Sequence, residues 1–399
     1  MKPGRAMNVF LNDMGIVCSI GHGKRTVREA LFRADSPQGM TLTETFSPGR
    51  MLQLGVVTAA LPDGTAWPVW HRSRNNALLA AALCEIHDAV HAAVARVGPA
   101  RVAIVLGSST SGVLEGEAAV RTRLAQGRWP AGFDYRQQEL ASASSFLAWL
   151  LGTAGPAHVV STACSSGAKA LVSGARMLQA GFADVVIAGG ADSLCRFTVA
   201  GFMALESLAA GRCNPLSVHR DGINLGEGAA LFVMSREPGP VRLAGWGETS
   251  DAHHMSSPDP SARGAIGAIQ AALAMGAVRP AEIDYVKLHG TGTPQNDAME
   301  SRAIVQTLGE QVPVSSTKPL SGHALGAAGA IEAAFGWLTL VDNPAGILPP
   351  HWWDGAADPG LARVRVASPG ERLGRPLDFV LSNSFAFGGS NASLLLGRG

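Results

Sequence analysis

Residues 159–171 read Val159-Val160-Ser161-Thr162-Ala163-Cys164-Ser165-Ser166-Gly167-Ala168-Lys169-Ala170-Leu171. A β-branched apolar approach ends in small residues and one cysteine, and an alanine-rich run with helical spacing follows, which predicts strand, sharp turn and helix. Cys164 falls at the turn, where unpaired backbone N–H groups and the positive end of the helix dipole favour an anion. The stretch therefore predicts a nucleophilic cysteine with a lowered thiol pKa. The alternative is a small buried cysteine in a packed strand–helix unit.

Composition limits the classes of protein that fit. At 399 residues the chain exceeds one ordinary core, so two domains or two fused halves are expected. Its 32 basic and 31 acidic residues leave a formal charge of +1, which argues against a nucleic-acid partner. The five cysteines are scattered without a C-x-x-C pair, which predicts a reducing compartment and neither a disulfide framework nor a zinc site.

The sequence predicts a cytoplasmic protein with no membrane partner. Met1 to Phe10 lacks the long apolar run of a secretory signal. The most membrane-like run, Ala324 to Val341, carries Glu332 near its middle and many small residues, so a buried core helix is favoured.

A repeated order of strands and helices predicts a duplicated α/β fold. The seam is placed at Glu237-Pro238-Gly239-Pro240, which gives a first half over residues 1–237 and a second over 238–399. A strand at 312–316 precedes a helix from His323, just as Val159 to Thr162 precede the helix after Cys164. We also predict one long helix over 72–97, a turn over 189–192 and a short helix over 202–208. The active loops of both halves are expected to meet at one end.

Three polar residues of the second half are placed where chemistry is expected. His289 follows a buried strand, and Lys318 lies five positions before His323. Each has an ordinary explanation: a core histidine, a histidine at a helix start, a surface lysine. A thiol with one histidine suggests a thiol hydrolase. Two neutral imidazoles, however, can both donate hydrogen bonds to one oxygen and stabilise the enolate formed when a malonyl thioester loses CO2.

Four motifs in order carry a resemblance to a known family. They are Thr162-Ala163-Cys164-Ser165-Ser166-Gly167, His289-Gly290-Thr291-Gly292-Thr293-Pro294, Ser316-Thr317-Lys318 with Gly322-His323-Ala324-Leu325-Gly326-Ala327-Ala328-Gly329, and Asn383-Ser384-Phe385 with Phe387-Gly388-Gly389-Ser390-Asn391. The chain resembles a β-ketoacyl-acyl carrier protein synthase of the thiolase-like, condensing-enzyme superfamily. That resemblance implies an α/β thiolase-like fold, with duplicated halves packed as α-β-α-β-α layers.

The resemblance implies decarboxylative condensation in fatty acid or polyketide biosynthesis. Cys164 would carry the acyl chain as a thioester, and His289 and His323 would hold the malonyl thioester oxygen. Lys318 would help set the electrostatic field around His323, through hydrogen bonds that involve Glu332. Backbone N–H groups of Cys164 and Phe387 would meet the tetrahedral oxyanion. The implied substrate-binding residues are Thr291 and Thr293 for the phosphopantetheine arm, Phe385 and Phe387 as a gate, Phe202, and Thr110 as a limit on acyl depth.

The implied partners are acyl- and malonyl-loaded acyl carrier protein, with a homodimer or a heterodimer with a chain-length partner. No cofactor or metal is expected, since phosphopantetheine arrives on the carrier. Arg72 and Arg74 are candidates for docking an acidic carrier. The segments 164–169 and 316–320 most resemble synthases of specialised pathways such as aryl polyene biosynthesis. The alternatives are a coenzyme-A-dependent thiolase-fold synthase and a non-catalytic chain-length partner, which would lack the cysteine.

Overall fold

The computed structural model describes residues 8–399, so residues 1–7 of the predicted first half lie outside the described residues. The strands are β1 (Phe10–Cys18), β2 (Gly21–His22), β3 (Thr41–Thr43), β4 (Leu52–Leu54), β5 (Val102–Gly107), β6 (Ala157–Val160), β7 (Val185–Asp192), β8 (Gly228–Ser235), β9 (Val241–Ser250), β10 (Tyr285–Lys287), β11 (Pro313–Ser315), β12 (Arg365–Val366), β13 (Phe379–Ala386) and β14 (Ser390–Arg398). The α-helices are α1 (Lys24–Leu31), α2 (Arg74–Cys84), α3 (His87–Val97), α4 (Val113–Gln126), α5 (Ser142–Leu151), α6 (Ser166–Gln179), α7 (Arg196–Ala204), α8 (Arg263–Gly276), α9 (Pro294–Leu308), α10 (Lys318–Ser321) and α11 (Ala328–Leu340).

The strand order repeats itself across one large sheet. The first five main strands are arranged β6-β5-β7-β8-β1, and the second five are arranged β11-β10-β13-β14-β9. When the five main strands of each half are counted along the chain, both arrangements read third, second, fourth, fifth, first. A short antiparallel pairing of β1 with β9 joins them. This repetition confirms the predicted duplicated α/β fold.

Three helical layers alternate with the two halves of the sheet. The apolar residues of α6 and α11 share one core with residues of β5, β8, β13 and β14. The opposite faces of these strands pack against α2 and α5 in the first half and against α8 and α9 in the second. The order of layers is therefore α-β-α-β-α. The run predicted as a buried core helix is α11, all of whose residues are buried.

Close approach of the two central helices depends on reciprocal glycines. A Cβ on Gly167 of α6 would lie 2.6 Å from the backbone nitrogen of Ala330, and a Cβ on Gly329 of α11 would lie 2.6 Å from that of Ala168. Real Cβ atoms do not tolerate such distances, so only glycine lets the backbones come this near. The contact brings the loops before α6 and α11 to the same end of the molecule.

The chain passes from the first set of strands to the second between Ser235 and Val241. We propose that the folding units divide there, between residues 237 and 238.

Several predicted boundaries are wrong. The helix predicted over 72–97 is two helices bent by 82°, because a tight turn at the buried Ile86 ends α2. The predicted turn at 189–192 lies inside β7, and the helix predicted over 202–208 is α7, which starts at Arg196. Strand β9 was not predicted, and its pairing with β14 overrides the Gly and polar residues in its sequence.

No single helix in residues 8–399 has the length and hydropathy of a membrane span. The bent pair α2 and α3 passes that test only when its two members are taken together.

Candidate active site

Cys164 lies in the turn between β6 and α6, at the end where the two halves meet. The turn is held by its own hydroxyl groups: Ser166 Oγ accepts from the backbone N–H of Thr162 at 2.8 Å, and Ser165 Oγ donates to the Thr162 carbonyl at 2.8 Å. Ala163 has φ +52°, a left-handed conformation that costs about 1–3 kcal/mol in a residue with a Cβ. The turn therefore directs the sulfur into the space between the halves, as the sequence predicted.

Two histidines from the second half face this sulfur. Nε2 of His323 lies 2.9 Å from Sγ of Cys164. One ring nitrogen of His289, one of His323 and the sulfur all lie within 4.8 Å of one another. The two imidazoles meet edge to face, with ring centroids 5.4 Å apart. The thiol and both predicted histidines thus share one site.

Burial determines the protonation of this group. It lowers the pKa of His289 and of His323 well below the ordinary value, and the Lys318 ammonium lowers both further, so both rings are neutral at pH 7. Nδ1 of each ring is buried without a hydrogen-bond partner among the described residues. A proton on Nδ1 would have no acceptor, which favours Nε2–H in both rings. Both imidazoles can then act as hydrogen-bond donors.

The predicted lowering of the thiol pKa is wrong. Burial raises the pKa of Cys164 to about 11, against the opposing effects of the Lys318 charge and of hydrogen bonds from the backbone of Phe387 and of Cys164 itself. The donors to the sulfur are the backbone N–H of Cys164, in the turn before α6, and the backbone N–H of Phe387, between β13 and β14. They do not outweigh the loss of water around a side chain that is 6% exposed.

Lys318 begins α10 and is fully buried. Its Nζ donates to Oε1 of Glu332 at 2.6 Å and to the carbonyl oxygen of His289. The predicted helix from His323 is wrong, because α10 ends at Ser321 and α11 begins only at Ala328. His323 lies in the loop between them, and its backbone N–H bonds to the carbonyl of Asn224 at 2.7 Å.

The site opens into a cavity of about 170 Å³. It is lined by the catalytic candidates Cys164, His289 and His323, by the predicted binding residues Thr291, Thr293, Phe385, Phe387 and Phe202, and by unpredicted residues that include Ser256, Ser257, Gln295 and Asn296. The hydroxyls of Thr291 and Thr293 lie 2.8 Å apart, and the rings of Phe202 and Phe387 stack at 5.8 Å. The loop at 256–258 follows β9, so missing that strand hid its contribution.

Thr110 is not part of the cavity lining. Its hydroxyl donates to Oδ1 of the buried Asp192 at 2.7 Å, and its backbone N–H donates to the same oxygen at 2.8 Å. In this structure Thr110 holds its loop to the end of β7, and its role as a limit on acyl depth stays a prediction.

The two arginines proposed for docking differ in their partners: Arg74 is paired with Glu227, whereas Arg72 is exposed. Arg74 Nε donates to the buried Glu227 at 2.8 Å, and its Nη2 donates to the Val57 carbonyl at 3.1 Å. Arg72 Nε donates to the carbonyl of Trp67 at 2.7 Å. These bonds hold the segment before α2, and the Glu227 carboxylate already pairs the charge of Arg74. Docking of the carrier by Arg72 stays a prediction.

Sequence reasoning missed the buried charges that hold His289. Glu300 of α9 accepts the backbone N–H groups of His289 and Gly290 at 2.8 and 2.7 Å, and burial raises the pKa of this carboxyl to about 7. Lys287 is fully buried in β10. The sequence signal for Lys287 was a lysine within the predicted buried strand Ile283 to Leu288.

The layered fold and the cavity define a thiolase-like protein with a cysteine and two histidines at its site. Models of the β-ketoacyl synthase N-terminal and C-terminal domains match residues 77–238 and 241–351. The chain belongs to the β-ketoacyl synthase family.

Individual relatives agree with this assignment. One solved structure, a ketosynthase (ApeO) in complex with its chain length factor (ApeC) from Xenorhabdus doucetiae, has a chain that is 41% identical with a TM-score of 0.89, and the match covers all of both chains. The 3-oxoacyl-[acyl-carrier-protein] synthase 2 of Rhizobium meliloti (strain 1021) is 38% identical over 61% of this chain and 61% of its own length. That of Staphylococcus aureus is 35% identical over 61% of this chain and 64% of its own length. This chain thus spans less than two thirds of the length of these curated relatives.

Proposed function

We propose that the protein is a β-ketoacyl-acyl carrier protein synthase, an acyltransferase that joins an acyl chain to malonyl-acyl carrier protein with loss of CO2. The observation that carries the proposal is the convergence of Cys164 Sγ, His323 Nε2 at 2.9 Å and His289 on one cavity. The names of the relatives support the choice of reaction.

In the first step the Cys164 sulfur attacks the thioester of an acyl carrier protein. A new C–S bond forms on Cys164, and the bond to the phosphopantetheine sulfur breaks. His323 Nε2–H donates to the attacking sulfur, and the thiol proton ends on the departing carrier thiol. Because the resting thiol has a pKa of about 11, this donor matters most while negative charge is on the sulfur.

In the second step malonyl-acyl carrier protein loses its terminal carboxylate. The C–C bond breaks, CO2 leaves, and the electron pair becomes an enolate whose oxygen accepts from His289 and His323. The enolate carbon then attacks the acyl group on Cys164. The tetrahedral oxyanion accepts from the backbone N–H groups of Cys164 and Phe387, and collapse expels the sulfur, which regains one proton.

Thr291 and Thr293 would bind the phosphopantetheine arm at the cavity wall. Phe385 and Phe387, with Phe202 stacked on Phe387, would gate the passage between acyl and malonyl states. The ion pair of Lys318 and Glu332 would hold the lysine charge in place beside His289. No resident cofactor is proposed, because phosphopantetheine arrives on the carrier.

A metal centre is the competing use of the same three side chains, since their ligand atoms lie within 4.8 Å. The buried ammoniums of Lys287 and Lys318 argue against it, because both charges act on His289 and would repel a divalent cation. Metal analysis of the purified protein, with and without chelator treatment, separates the two uses. Condensation that survives full metal removal supports the proposal.

The proposed partners are an acyl carrier protein and a second ketosynthase-fold chain. Strand β6 ends the sheet and is partly exposed, and Trp149 and Leu150 of α5 are exposed as well. An open edge strand beside apolar side chains suits pairing with a homologous chain. The complex of the X. doucetiae relative with its chain length factor makes a heterodimer one form of this partner, and a homodimer is the other.

We place the protein in the cytoplasm and, by its likeness to the X. doucetiae ketosynthase, in an aryl polyene type of pathway. A non-catalytic chain-length role is disfavoured by Cys164. A coenzyme-A-dependent synthase is disfavoured by the second histidine.

The test is reconstitution with purified acyl- and malonyl-acyl carrier proteins, with mass spectrometry of the carrier-bound product. We expect release of CO2 and a β-ketoacyl product two carbons longer. Condensation with coenzyme A thioesters and none with carrier thioesters would contradict the proposal.

A further inference from the structure

Lys287 of β10 is a fully buried ionisable side chain that has no task in the proposed mechanism. Side chains alternate along a strand, so Lys287 lies on the same face as Tyr285, which is part of the core around α6 and α11. That direction brings the ammonium to Glu332 of α11, with Nζ and Oε1 3.1 Å apart. It also donates to the carbonyl of Leu288 at 2.6 Å.

Lys287 and Lys318 share one carboxylate oxygen. Lys318 Nζ lies 2.6 Å from the same Oε1 of Glu332 and donates to the carbonyl of His289. The two ammoniums therefore hold two successive carbonyls, those of residues 288 and 289. Glu300 holds the N–H groups of residues 289 and 290 from the other direction. Three buried ionisable side chains, Lys287, Lys318 and Glu300, thus fix the main chain that carries the His289 imidazole, and Glu332 holds the two lysines.

Stability alone explains this cluster poorly. Two ammoniums face the Glu332 carboxylate and Glu300, and burial raises the pKa of Glu300 to about 7, so this second carboxyl is only partly ionised at pH 7. The cluster therefore carries an excess of positive charge in the core, and a buried charge is costly unless a partner compensates it. Oε2 of Glu332 has no hydrogen-bond partner among the described residues, so the compensation is incomplete. An apolar side chain at position 287 would avoid this loss of hydration.

We propose that Lys287 is a positioning residue for the decarboxylation step, which holds the His289 segment through Leu288 and adds its charge to the burial and the Lys318 charge that keep both imidazoles neutral. The inference rests on the proposed synthase activity. Its electrostatic part matters because an imidazolium in the cavity would attract the malonyl carboxylate. Stabilising that ground-state charge raises the barrier to losing CO2.

The ionisable groups around Lys287 define what a titration reports. They are Glu332 on α11, Lys318 on α10, Glu300 on α9, Tyr285 on the same strand, and the histidines His289, His323 and His351. Burial, with the Lys318 charge, lowers the pKa of Lys287 to about 8 against the effect of Glu332. Its charge is therefore present at pH 7 and lost as the pH rises through about 8.

The experiment measures CO2 release from malonyl-acyl carrier protein, as kcat and KM from pH 5.5 to 9, for wild type, Lys287→Met and Tyr285→Phe. Methionine keeps the length of lysine without its charge. Tyr285→Phe is the matched control, since it removes the 2.5 Å hydrogen bond to Ser315 Oγ from the same buried face. We expect Lys287→Met to lower kcat by about 10- to 100-fold with little change in KM. The acidic limb of the kcat–pH profile of Lys287→Met should move to higher pH, because the histidine pKa values rise when a neighbouring positive charge is removed.

If Lys287→Met does not fold, two other measurements test the inference: rescue of Lys287→Ala by an added amine, and the pH dependence of wild-type kcat. Methylammonium should restore part of the activity of Lys287→Ala, and wild-type kcat should fall above pH 8. A Lys287→Met enzyme with wild-type kcat and pH profile would overturn the inference, as would equal losses in Lys287→Met and Tyr285→Phe. If neither Lys287 variant folds, a wild-type kcat that stays flat above pH 8 would overturn it too. Absence of CO2 release from wild type would instead contradict the proposed function.

Discussion

The loops that follow β5 and β10 occupy the same place in the two halves, yet they differ in what their polar groups do. After β5, the hydroxyls of Ser108, Ser109 and Thr110 all donate to the buried Asp192, so these polar groups hold the loop to the end of β7. After β10, the backbone of His289 is held by other elements, and its ring lines the cavity. The same position is structural in one half and chemical in the other.

The turns that follow β6 and β11 differ in a complementary way. Only residues 161–165 separate β6 from α6, and this tight turn presents the Cys164 sulfur. Residues 316–327 separate β11 from α11, and this longer link supplies Lys318 and His323. In the proposed mechanism the nucleophile thus comes from one half of the duplicated fold and the imidazole hydrogen-bond donors come from the other. If that division is right, mutation should separate acyl transfer from decarboxylation.

The largest expected effect is that of Cys164→Ala. It should lower condensation by roughly 10³-fold or more, because no other sulfur lines the cavity in the described residues. CO2 release from malonyl-acyl carrier protein should persist, since that step depends on the histidines. The control is Cys84→Ala, which removes an exposed thiol and should behave as wild type. Equal loss of condensation and CO2 release in a folded Cys164→Ala protein would contradict the proposed division of roles between the thiol and the histidines.

His289→Ala should show the opposite pattern. Loss of one donor to a developing oxyanion lowers its rate by roughly 10²- to 10³-fold, so CO2 release should fall by that factor. Acylation of Cys164 should continue, because His323 Nε2 is the imidazole nitrogen 2.9 Å from the sulfur. Single-turnover assays measure the two rates separately. An unchanged rate of CO2 release would refute the role of His289.

The reactivity of Cys164 in the free enzyme tests the consequence of its burial. With a thiol pKa of about 11, the thiolate fraction grows as pH rises, so alkylation by iodoacetamide should accelerate about tenfold per pH unit from pH 7 to 9.5. Peptide mass spectrometry follows the modification at this residue. A plateau that begins near pH 7 would instead indicate the stabilised thiolate that the helix terminus suggested.

The smallest expected effect concerns the contact that brings the halves together. Gly329→Ala places a Cβ 2.6 Å from the backbone of Ala168 and should lower the free energy of unfolding by about 1–3 kcal/mol. Gly201→Ala is the control, because no atom lies within 4 Å of a Cβ there, and it should be neutral or slightly stabilising. Chemical denaturation measures both. A neutral Gly329→Ala would show that the central helices have room to separate.

Local patterns in the sequence predicted the strand–turn–helix at Cys164 and the duplicated order of strands, since both depend on short-range signals and their repetition. They did not predict the break between α2 and α3, because its cause is the packing of Ile86 in a tight turn. The pKa of Cys164 was predicted in the wrong direction for a similar reason. A helix terminus can be predicted from the sequence, whereas the desolvation of the sulfur by the second half cannot. Lys287 and Glu300 were missed because their partners are remote in the chain.

The most direct test is the fate of the acyl group in wild type, Cys164→Ala and His289→Ala after incubation with acyl-acyl carrier protein. We predict that intact mass and peptide mapping place the acyl group on Cys164 in wild type and in His289→Ala, and nowhere in Cys164→Ala. Malonyl-acyl carrier protein should then discharge it from wild type at once and from His289→Ala only slowly. Acylation at another residue, or equally fast discharge from His289→Ala, would contradict the account.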